Sequence, residues 1–299
     1  MKRQKHDISI LIPTFNTDCS QLIRSLHRLA ERADEAVYEI VVAEDGSTDP
    51  EAIRLNEETT TALPHCRHLT RAENVGRAAI RNVLAREARY EWLLFVDSDM
   101  TVTNDDFISR YLEQEDCDVV DGGVSIGGNP DELKGNLRYL YEKAAEQAHT
   151  AEQRSKQPYQ HLHTANLMIR RATMLECPFD ERFRRYGYED VMLGKQLRQR
   201  KATIRRIDNP LGFCTFEDNA HFVEKTEEGL RTLHQFRKEL KGYSGLLTLA
   251  DNIHLGIVKW LLKTAFRLVK SVLRRNLCGR HPLVRLFKIY KLGYYLSLE

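Results

Sequence analysis

The first hundred residues alternate short apolar segments with amphipathic ones, and this alternation restricts the possible folds more than any other feature of the chain. The segment "ISILIP" (8–13) is a run rich in β-branched residues, typical of a strand buried on both faces. Three further strand-like segments follow at 38–45, 67–71 and 91–97. Helical patterns lie between them, with apolar residues on one face across 22–30 and again across 76–88. Strands separated by helices predict an α/β fold with a mostly parallel sheet.

The pattern becomes less regular after residue 99. It predicts, in order, a strand with a glycine-rich turn at 118–128, a long polar helix at 131–153, a strand at 163–171, a helix at 189–200, a strand at 202–208 and a charged helix at 224–241. In parallel sheets ligands bind beyond the carboxyl ends of the strands. The polar residues that end these strands are therefore the first candidates for a functional site.

Composition sets the class of protein. The 299 residues are 42% hydrophobic and 29% charged, which suits one large or two small globular domains and excludes disordered and fibrous classes. Six cysteines lie 37 or more residues apart, so neither a disulfide framework nor a zinc knuckle is expected. The apolar run that Pro13 interrupts is too short for a signal peptide, and no run of about 18 apolar residues predicts a spanning helix. We therefore expect a cytoplasmic protein.

Two carboxylates stand one residue apart at the end of the strand-like segment 91–97. If the chain stays extended, Asp97 and Asp99 point the same way, an arrangement that suits a hard divalent cation such as Mg²⁺ or Mn²⁺. The alternative is a solvated turn in which the two side chains have no ligand.

Two more clusters precede this pair. In "EDGSTD" (44–49), Asp45 stands at the carboxyl end of a strand, although the segment is also a good turn sequence. In "NVGRAAIRN" (74–82), Gly76 opens a helix on which Arg77 and Arg81 could hold a phosphate, the alternative being a capped helix with solvated arginines.

Taken together and in this order, "ISILIPTFN", "EDGSTD", "NVGRAAIRN" and "DSD" resemble glycosyltransferase family 2 over about residues 8–240. The resemblance implies a GT-A fold, an α/β architecture. Its catalytic domain would cover 1–245, with a nucleotide-binding half at about 8–128 and an acceptor half at about 129–245, followed by a tail at 246–299.

The resemblance also implies a nucleotide-diphosphate sugar donor, usually a uridine one, and a bound Mn²⁺ or Mg²⁺. Asp45 would contact the base, an arginine the diphosphate, and the aspartate pair the ribose and the metal. The residues placed at the nucleotide sugar are Pro13, Thr14, Asp45, Asn74, Arg77, Arg81, Asp97 and Ser98. The metal ligands would be Asp97 and Asp99.

A later segment, "CPFDERFRRYGYEDVMLGKQLRQR" (177–200), looks like the acceptor-side motif of this family and of galactosyl and N-acetylgalactosaminyl transferases. In inverting members the aspartate of the Glu-Asp pair is the general base, which here is Asp190. Glu189 would hydrogen-bond the acceptor, the alternative being that the pair only complements the helix dipole. Further acceptor contacts would come from His163, Thr164 and Asn166, with ordinary strand packing as the alternative for each. Several relatives place a metal-binding histidine near the position of Phe213. His221 could take that role here, or could be a surface residue.

The tail differs in charge from the body. Residues 251–299 carry ten basic residues against Asp251 and Glu299, a balance of +8, whereas the whole chain has a net charge of +2. In 252–275 five cations recur at spacings of three and four, beside a wide apolar face that includes Trp260. With the further apolar segment 282–296, this pattern predicts amphipathic helices lying in a membrane surface. Packing on the body or on a second copy is the alternative, and nucleic acid is a poorer one.

The sequence therefore predicts an inverting, metal-dependent glycosyltransferase at the inner face of a membrane, acting on a glycan or a lipid-linked acceptor. Two other hypotheses remain. One is a membrane-bound scaffold that keeps the fold without catalysis. The other is a sugar-phosphate nucleotidyltransferase, for which the glycine-rich N-terminal signature is missing where "PTFNTD" stands.

Overall fold

A computed structural model describes residues 7–33 and 37–299. Its strands in these ranges are β1 (Ile8–Thr14), β2 (Tyr38–Glu44), β3 (Cys66–Thr70), β4 (Trp92–Val96), β5 (Met100–Val102), β6 (Val119–Asp121), β7 (Val124–Ile126), β8 (Asn166–Arg170), β9 (Ile204–Arg206) and β10 (Leu211–Phe213). Seven of them form one sheet in the order β3-β2-β1-β4-β8-β6-β9. The other three form a small sheet in the order β5-β10-β7.

The helices are α1 (Ser20–Arg32), α2 (Pro50–Ala62), α3 (Arg77–Glu87), α4 (Phe107–Leu112), α5 (Pro130–Leu133), α6 (Leu137–Ala145), α7 (Ala151–Ser155), α8 (Arg171–Glu176), α9 (Glu189–Gln199), α10 (Asn219–Gln235), α11 (Gly245–Asp251), α12 (Gly256–Leu277) and α13 (Val284–Leu298), with a 3₁₀ turn at Glu146–His149. The fold class is α/β, as predicted. The sheet is mostly parallel, because β8 alone runs antiparallel to both of its neighbours.

The strands at the centre of the sheet have apolar side chains on both faces because helices cover both faces. β2 is buried along its whole length, and β1 along all but one residue. One core lies under α1 and α4, the other under α3, α8 and α9. The parallel strands β1, β2 and β4 end at the same edge, which brings the loops that follow them together.

Two predicted helices differ from the structure, and one observed helix has no counterpart in the prediction. The helix expected at 131–153 is divided into shorter pieces, because Asn136 and Thr150 each cap a new helix by accepting a backbone N–H. The helix expected at 224–241 begins earlier, where the Asp218 carboxylate accepts the backbone N–H of His221. Helix α2 was not predicted. Its N-terminus has a clear signal, since Asp49 caps it and Pro50 is its first residue.

The chain after residue 245 packs on the body instead of extending from it. A third core joins α6, α9 and α10 to α11, α12 and α13. Helix α13 contributes most to it, with Phe287, Tyr290, Tyr295 and Leu296 all at most 1% exposed. The segment predicted as a separate tail is therefore part of the same packed unit.

Helix α12 lies on that unit with part of its cationic stripe inward, as the alternative of packing on the body predicts. Lys259 Nζ lies 3.0 Å from a carboxylate oxygen of Glu299, and Arg274 Nη2 lies 3.0 Å from one of Glu224. The ammonium group of Lys270 stands 4.9 Å from the ring centre of Tyr294. Three of the five cations of the stripe, Lys259, Lys270 and Arg274, thus contact the chain's own carboxylates or an aromatic ring, and the apolar side of the helix faces outward. Among the helices of the described ranges, none is both long and apolar enough to cross a bilayer.

Candidate active site

A cavity of about 480 Å³ lies at the edge where β1, β2 and β4 end. All eight residues predicted at the nucleotide sugar line it, namely Pro13, Thr14, Asp45, Asn74, Arg77, Arg81, Asp97 and Ser98. We call this cavity the donor lobe, after the role predicted for these residues. A second cavity of about 170 Å³ is called the acceptor lobe, because the predicted acceptor residue His163 lines it. The two cavities share four wall residues: Arg77, Asp97, Asp99 and Lys225. The aspartate pair therefore stands where the two lobes meet.

Asp45 joins two loops of the donor lobe. Its carboxylate oxygens accept the backbone N–H groups of Val75 and Gly76 at 2.9 and 3.0 Å. The next residue, Gly46, has φ of +70°, and a Cβ there would stand 2.3 Å from the backbone nitrogen of Asn74. Only glycine fits this contact. The motif "EDGSTD" thus fixes the loop before α3, and Asp45 still lines the cavity.

The two loops that carry "PTFN" and "EDGSTD" are also tied together. The side-chain oxygen of Asn16 accepts the backbone N–H groups of Thr48 and Asp49 at 2.6 and 2.9 Å. Phe15, the residue before Asn16, lines the same cavity and is 49% exposed. An exposed aromatic ring in the cavity that Asp45 also lines suits a nucleobase. The sequence analysis did not single out Phe15, although its place in "PTFN" is a usable signal.

Asp97 and Asp99 have different environments. The Arg81 guanidinium donates to Asp97 at 2.6 Å, and Asp99 has no ion pair within the described part of the chain. Burial acts to raise the pKa of Asp97, but the charges of Arg81 and Arg77 lower it overall. Burial and then the Asp97 charge raise the pKa of Asp99. Asp99 is thus the carboxylate that still lacks a cation.

This pair fits a divalent cation of the kind that the GT-A fold implies. Mg²⁺ is commonly bound by one or two carboxylates plus substrate phosphates, and an oxygen donor set also suits Mn²⁺. No group of three or more His, Cys, Asp or Glu side chains in the described ranges could hold a metal. His221 lines the donor lobe with the aspartates, but it is exposed and does not complete such a group. The fit is therefore to a cation that the nucleotide would help to bind.

The Glu189–Asp190 pair opens α9, as the acceptor-side motif predicts. Glu189 is 6% exposed and lies 3.6 Å from Arg81, which is itself 1% exposed. Burial and the Glu189 charge raise the pKa of Asp190 to about 6. Arg81 therefore connects Asp97, in the predicted donor site, to Glu189, in the predicted acceptor motif. The residue after Glu189 is Asp190, whose pKa is about 6.

The arginines predicted at the diphosphate have separate roles. Arg81 is enclosed by its ion pairs, whereas Arg77 is exposed in the cavity. Arg77 and Lys225 lie over the Tyr186 ring, at 5.1 and 5.0 Å from its centre. Lys225 and Tyr186 are cavity residues that the sequence analysis missed, since helix 224–241 was predicted only as a charged helix.

The acceptor lobe contains one of the three residues predicted near strand 163–171. His163 lines it, and Asp121 holds this histidine through its backbone N–H at 2.9 Å and its ring Nδ1 at 3.4 Å. Thr164 is buried. Asn166 is fully buried, and its amide binds the carbonyls of Gly123 and Asn209, so it lies behind the cavity wall and is not available to an acceptor.

Asp121 itself was missed by the sequence analysis. It is fully buried at the end of β6, where it pairs with the buried guanidinium groups of Arg154 and Arg206. Burial acts to raise the pKa of Asp121, but the charges of His163, Arg206 and Arg154 lower it overall. Its place at the end of the strand in "VVDGG" is a sequence signal that could have identified it. Asp121 fixes the wall of the acceptor lobe.

Comparisons with known proteins match these features. Residues 9–177, more than half of the chain, match the family model described as glycosyl transferase family 2. A curated N-acetylglucosaminyltransferase of Bradyrhizobium elkanii is 24% identical over 120 residues, which are 40% of this chain and 64% of that protein. The chain therefore matches less than two thirds of the length of this relative.

Solved structures share the fold. A mannosyltransferase of Pyrobaculum calidifontis, solved in complex with GDP-Man and Mn²⁺, has a TM-score of 0.58 at 14% identity, over 98% of this chain and 85% of that one. S. aureus TarS has a TM-score of 0.53 at 17% identity, over 98% of this chain and 90% of that one. The match of the family model, over a region that contains the donor lobe motifs, shows that this chain belongs to glycosyl transferase family 2.

Proposed function

We propose that this protein is an inverting, divalent-metal-dependent glycosyltransferase that uses a nucleotide-diphosphate sugar. The acceptor would be a hydroxyl of a glycan or of a lipid-linked molecule at a membrane surface. One observation carries the proposal: Arg81 lies 2.6 Å from Asp97 and 3.6 Å from Glu189, so one buried guanidinium joins the donor and acceptor carboxylates. Family membership supports glycosyl transfer itself.

A uridine donor is the first choice. TarS has been solved in complex with UDP-GlcNAc, and the Bradyrhizobium relative is named an N-acetylglucosaminyltransferase. The Pyrobaculum neighbour was solved with GDP-Man, so a guanosine donor belongs in the same screen. In this chain Phe15 would stack on the base and Asp45 would hold the loops around it.

Each step would use a residue that lines one of the two lobes or, for Asp190, one that follows the Arg81 partner Glu189 in the first turn of α9. Asp190, whose pKa is raised to about 6, is ionised at neutral pH and can accept the proton of the acceptor hydroxyl. Arg77 and Lys225 place positive charge at the diphosphate. A cation bound at Asp97 and Asp99 would neutralise the charge that grows on the departing nucleotide. Attack from the face opposite the leaving group inverts the anomeric centre.

The Asp190→Asn variant tests this assignment. A positioned general base typically contributes about 10²- to 10⁴-fold to a rate, so we expect kcat to fall by that factor. Binding of UDP with Mn²⁺, measured by calorimetry, should be unchanged, because Asp190 is not among the residues that line the donor lobe. In the unsubstituted enzyme, kcat/KM should fall as the pH drops through about 6, where Asp190 becomes protonated.

The control is Asp180→Asn, in a carboxylate that pairs with Arg182 on the surface and lines neither lobe. It should transfer sugar at the unsubstituted rate. Unchanged turnover in Asp190→Asn would exclude Asp190 as the base. Donor binding without any transfer in the unsubstituted protein, across the uridine and guanosine sugars, would instead support the scaffold hypothesis.

A further inference from the structure

The outward side of α12 is apolar over more than four turns. Nine large apolar side chains are each at least 36% exposed there or just before the helix: Leu255, Ile257, Val258, Trp260, Leu261, Leu262, Leu268, Val269 and Val272. We call these nine residues the outer face of α12. Leu268 is 79% exposed and Ile257 68%. Contiguous exposed apolar surface of this kind marks an interaction site.

The inward side of the same helix already has its partners. Phe266 and Leu277 are buried in the third core, and Lys259 and Arg274 pair with carboxylates of the body. These contacts fix the rotation of the helix about its axis. The helix therefore cannot rotate to bury its outer face, and this face stays exposed while the inward side packs in the third core.

Exposed cations lie on α12 itself, in the loop that follows it and on α13. Arg267, Arg275, Arg280, Arg285 and Lys288 are all exposed, and none has an ion-pair partner within 7–33 or 37–299. Residues 251–299 contain only two acidic residues, Asp251 and Glu299, and the α10 carboxylates at Arg274, Glu224 and Glu227, face the inward side of the helix. Glu299 is bound to Lys259. The surface thus combines an apolar centre, an exposed tryptophan and unpaired positive charge.

We propose that the outer face of α12 inserts into the interfacial region of a lipid bilayer that carries anionic headgroups. Apolar side chains and Trp260 would enter the acyl boundary, and the surrounding cations would meet the headgroups. A second copy is the less suitable occupant, because a symmetric contact through this face brings cations together without carboxylates between them. This proposal rests on the membrane-surface acceptor of the proposed function. It is tested by vesicle binding and not by sugar transfer.

Helix α10 connects this surface to the donor lobe. Its Glu224 binds Arg274 of α12, and its His221 and Lys225 line the donor lobe. Bilayer binding through α12 would therefore place the cavity one helix away from the lipid-bound surface. A cavity that is separated from the bilayer by α10 suits an acceptor that is itself held in the membrane.

Tryptophan fluorescence gives a direct test. The chain has two tryptophans, of which Trp92 is 1% exposed and Trp260 is 61% exposed. On addition of phosphatidylcholine–phosphatidylglycerol vesicles to the full-length protein, emission should shift to shorter wavelength, and Trp260→Phe should abolish this shift while vesicle co-sedimentation persists. Vesicles of phosphatidylcholine alone should bind the protein more weakly. A protein that does not bind the anionic vesicles would overturn the proposal.

Two variants separate the apolar and cationic contributions. Ile257→Ser/Leu261→Ser/Leu268→Ser alters only exposed side chains and should lower vesicle affinity by at least about tenfold. The matched control is Leu175→Ser, since Leu175 is 42% exposed on α8, and it should bind normally. Arg275→Glu/Arg285→Glu/Lys288→Glu should remove most of the preference for anionic vesicles, more than about tenfold.

Sedimentation velocity without lipid tests whether a second copy of the chain covers the outer face of α12. A monomer whose Trp260 emission responds only to vesicles supports the bilayer. A dimer that the triple serine variant dissociates, with Trp260 already shielded before vesicles are added, would assign the face to a second copy and contradict the proposal. Failure of these experiments would leave the Asp190 assignment intact, because that assignment is measured in solution.

Discussion

Arg81 contacts one carboxylate from each of the two acidic motifs, Asp97 of "DSD" and Glu189 of the Glu-Asp pair. It is buried, and its guanidinium is shared between Asp97 and Glu189 at 2.6 and 3.6 Å. A buried carboxylate is costly without a partner, so Arg81 keeps Asp97 ionised and Glu189 in place. Asp99, two positions after Asp97, and Asp190, directly after Glu189, have raised pKa values. Because Arg81 pairs with Asp97 and Glu189, Asp99 and Asp190 are the carboxylates of the two motifs that have no ion pair in the described part of the chain.

Removal of this guanidinium should affect stability as well as activity. In Arg81→Ala, Asp97 and Glu189 lose a buried partner, and breaking such a pair typically costs about 3–5 kcal/mol. We expect the free energy of unfolding, measured by urea denaturation, to fall by about that amount. The control is Arg54→Ala, whose exposed pairs with Glu51 and Glu58 should matter little. Equal stabilities of the two variants would contradict this account.

At the scale of elements, the contact between α12 and α13 depends on a glycine. A Cβ on Gly293 would stand 2.3 Å from the Phe266 ring, which is 5% exposed and packs against Tyr290 at 5.5 Å between ring centres. The absence of a side chain on α13 therefore lets Phe266 enter the third core. With Phe266 inside, the apolar residues on the opposite side of α12 face outward.

Gly293→Ala should loosen this contact. Overpacking of a core typically costs about 1–3 kcal/mol, and we expect a loss of unfolding free energy in that range by urea denaturation. Gly256→Ala is the matched control, because the same methyl group there meets nothing within 4 Å and lies at the start of a helix. A Gly293→Ala protein as stable as the control would show that α12 and α13 adjust without strain.

At the scale of the whole molecule, the segment after residue 245 and the catalytic body share one core. Tyr290, Tyr295 and Leu296 are buried against helices of the body, and Leu230 and Leu233 of α10 lie in the same cluster. A chain that ends at residue 245 would leave this apolar surface uncovered. Truncation is therefore a poor way to test membrane binding, because it also damages the body.

Calorimetry of the shortened chain measures this dependence. The full-length protein should unfold in one transition that includes α13, whereas a 1–245 chain should melt at lower temperature or aggregate, because α10 loses its cover. The triple serine variant on the outer face of α12 should melt like the unsubstituted protein. A 1–245 chain with an unchanged melting temperature would show that the body is a separate unit.

The sequence by itself determined the fold class, the succession of β1 to β4 along the chain and the polar residues that line the donor lobe after β1, β2 and β4. Those features depend on local patterns: apolar runs specify buried strands, and the polar residues that follow β1, β2 and β4 meet because parallel strands end at one edge. Helix breaks at Asn136 and Thr150 were missed, since the capping signal lay within an otherwise helical composition.

Tertiary structure alone decided which side of α12 faces inward. The pattern of α12 shows a cationic stripe and an apolar face, but the partners that select between them, Glu224 and Glu299, lie elsewhere in the chain. In the same way, Arg77 and Arg81 are equivalent in the motif, and only Asp97 and Glu189 make Arg81 the buried one. Burial depends on partners that are distant in sequence, and for that reason local patterns could not determine these choices.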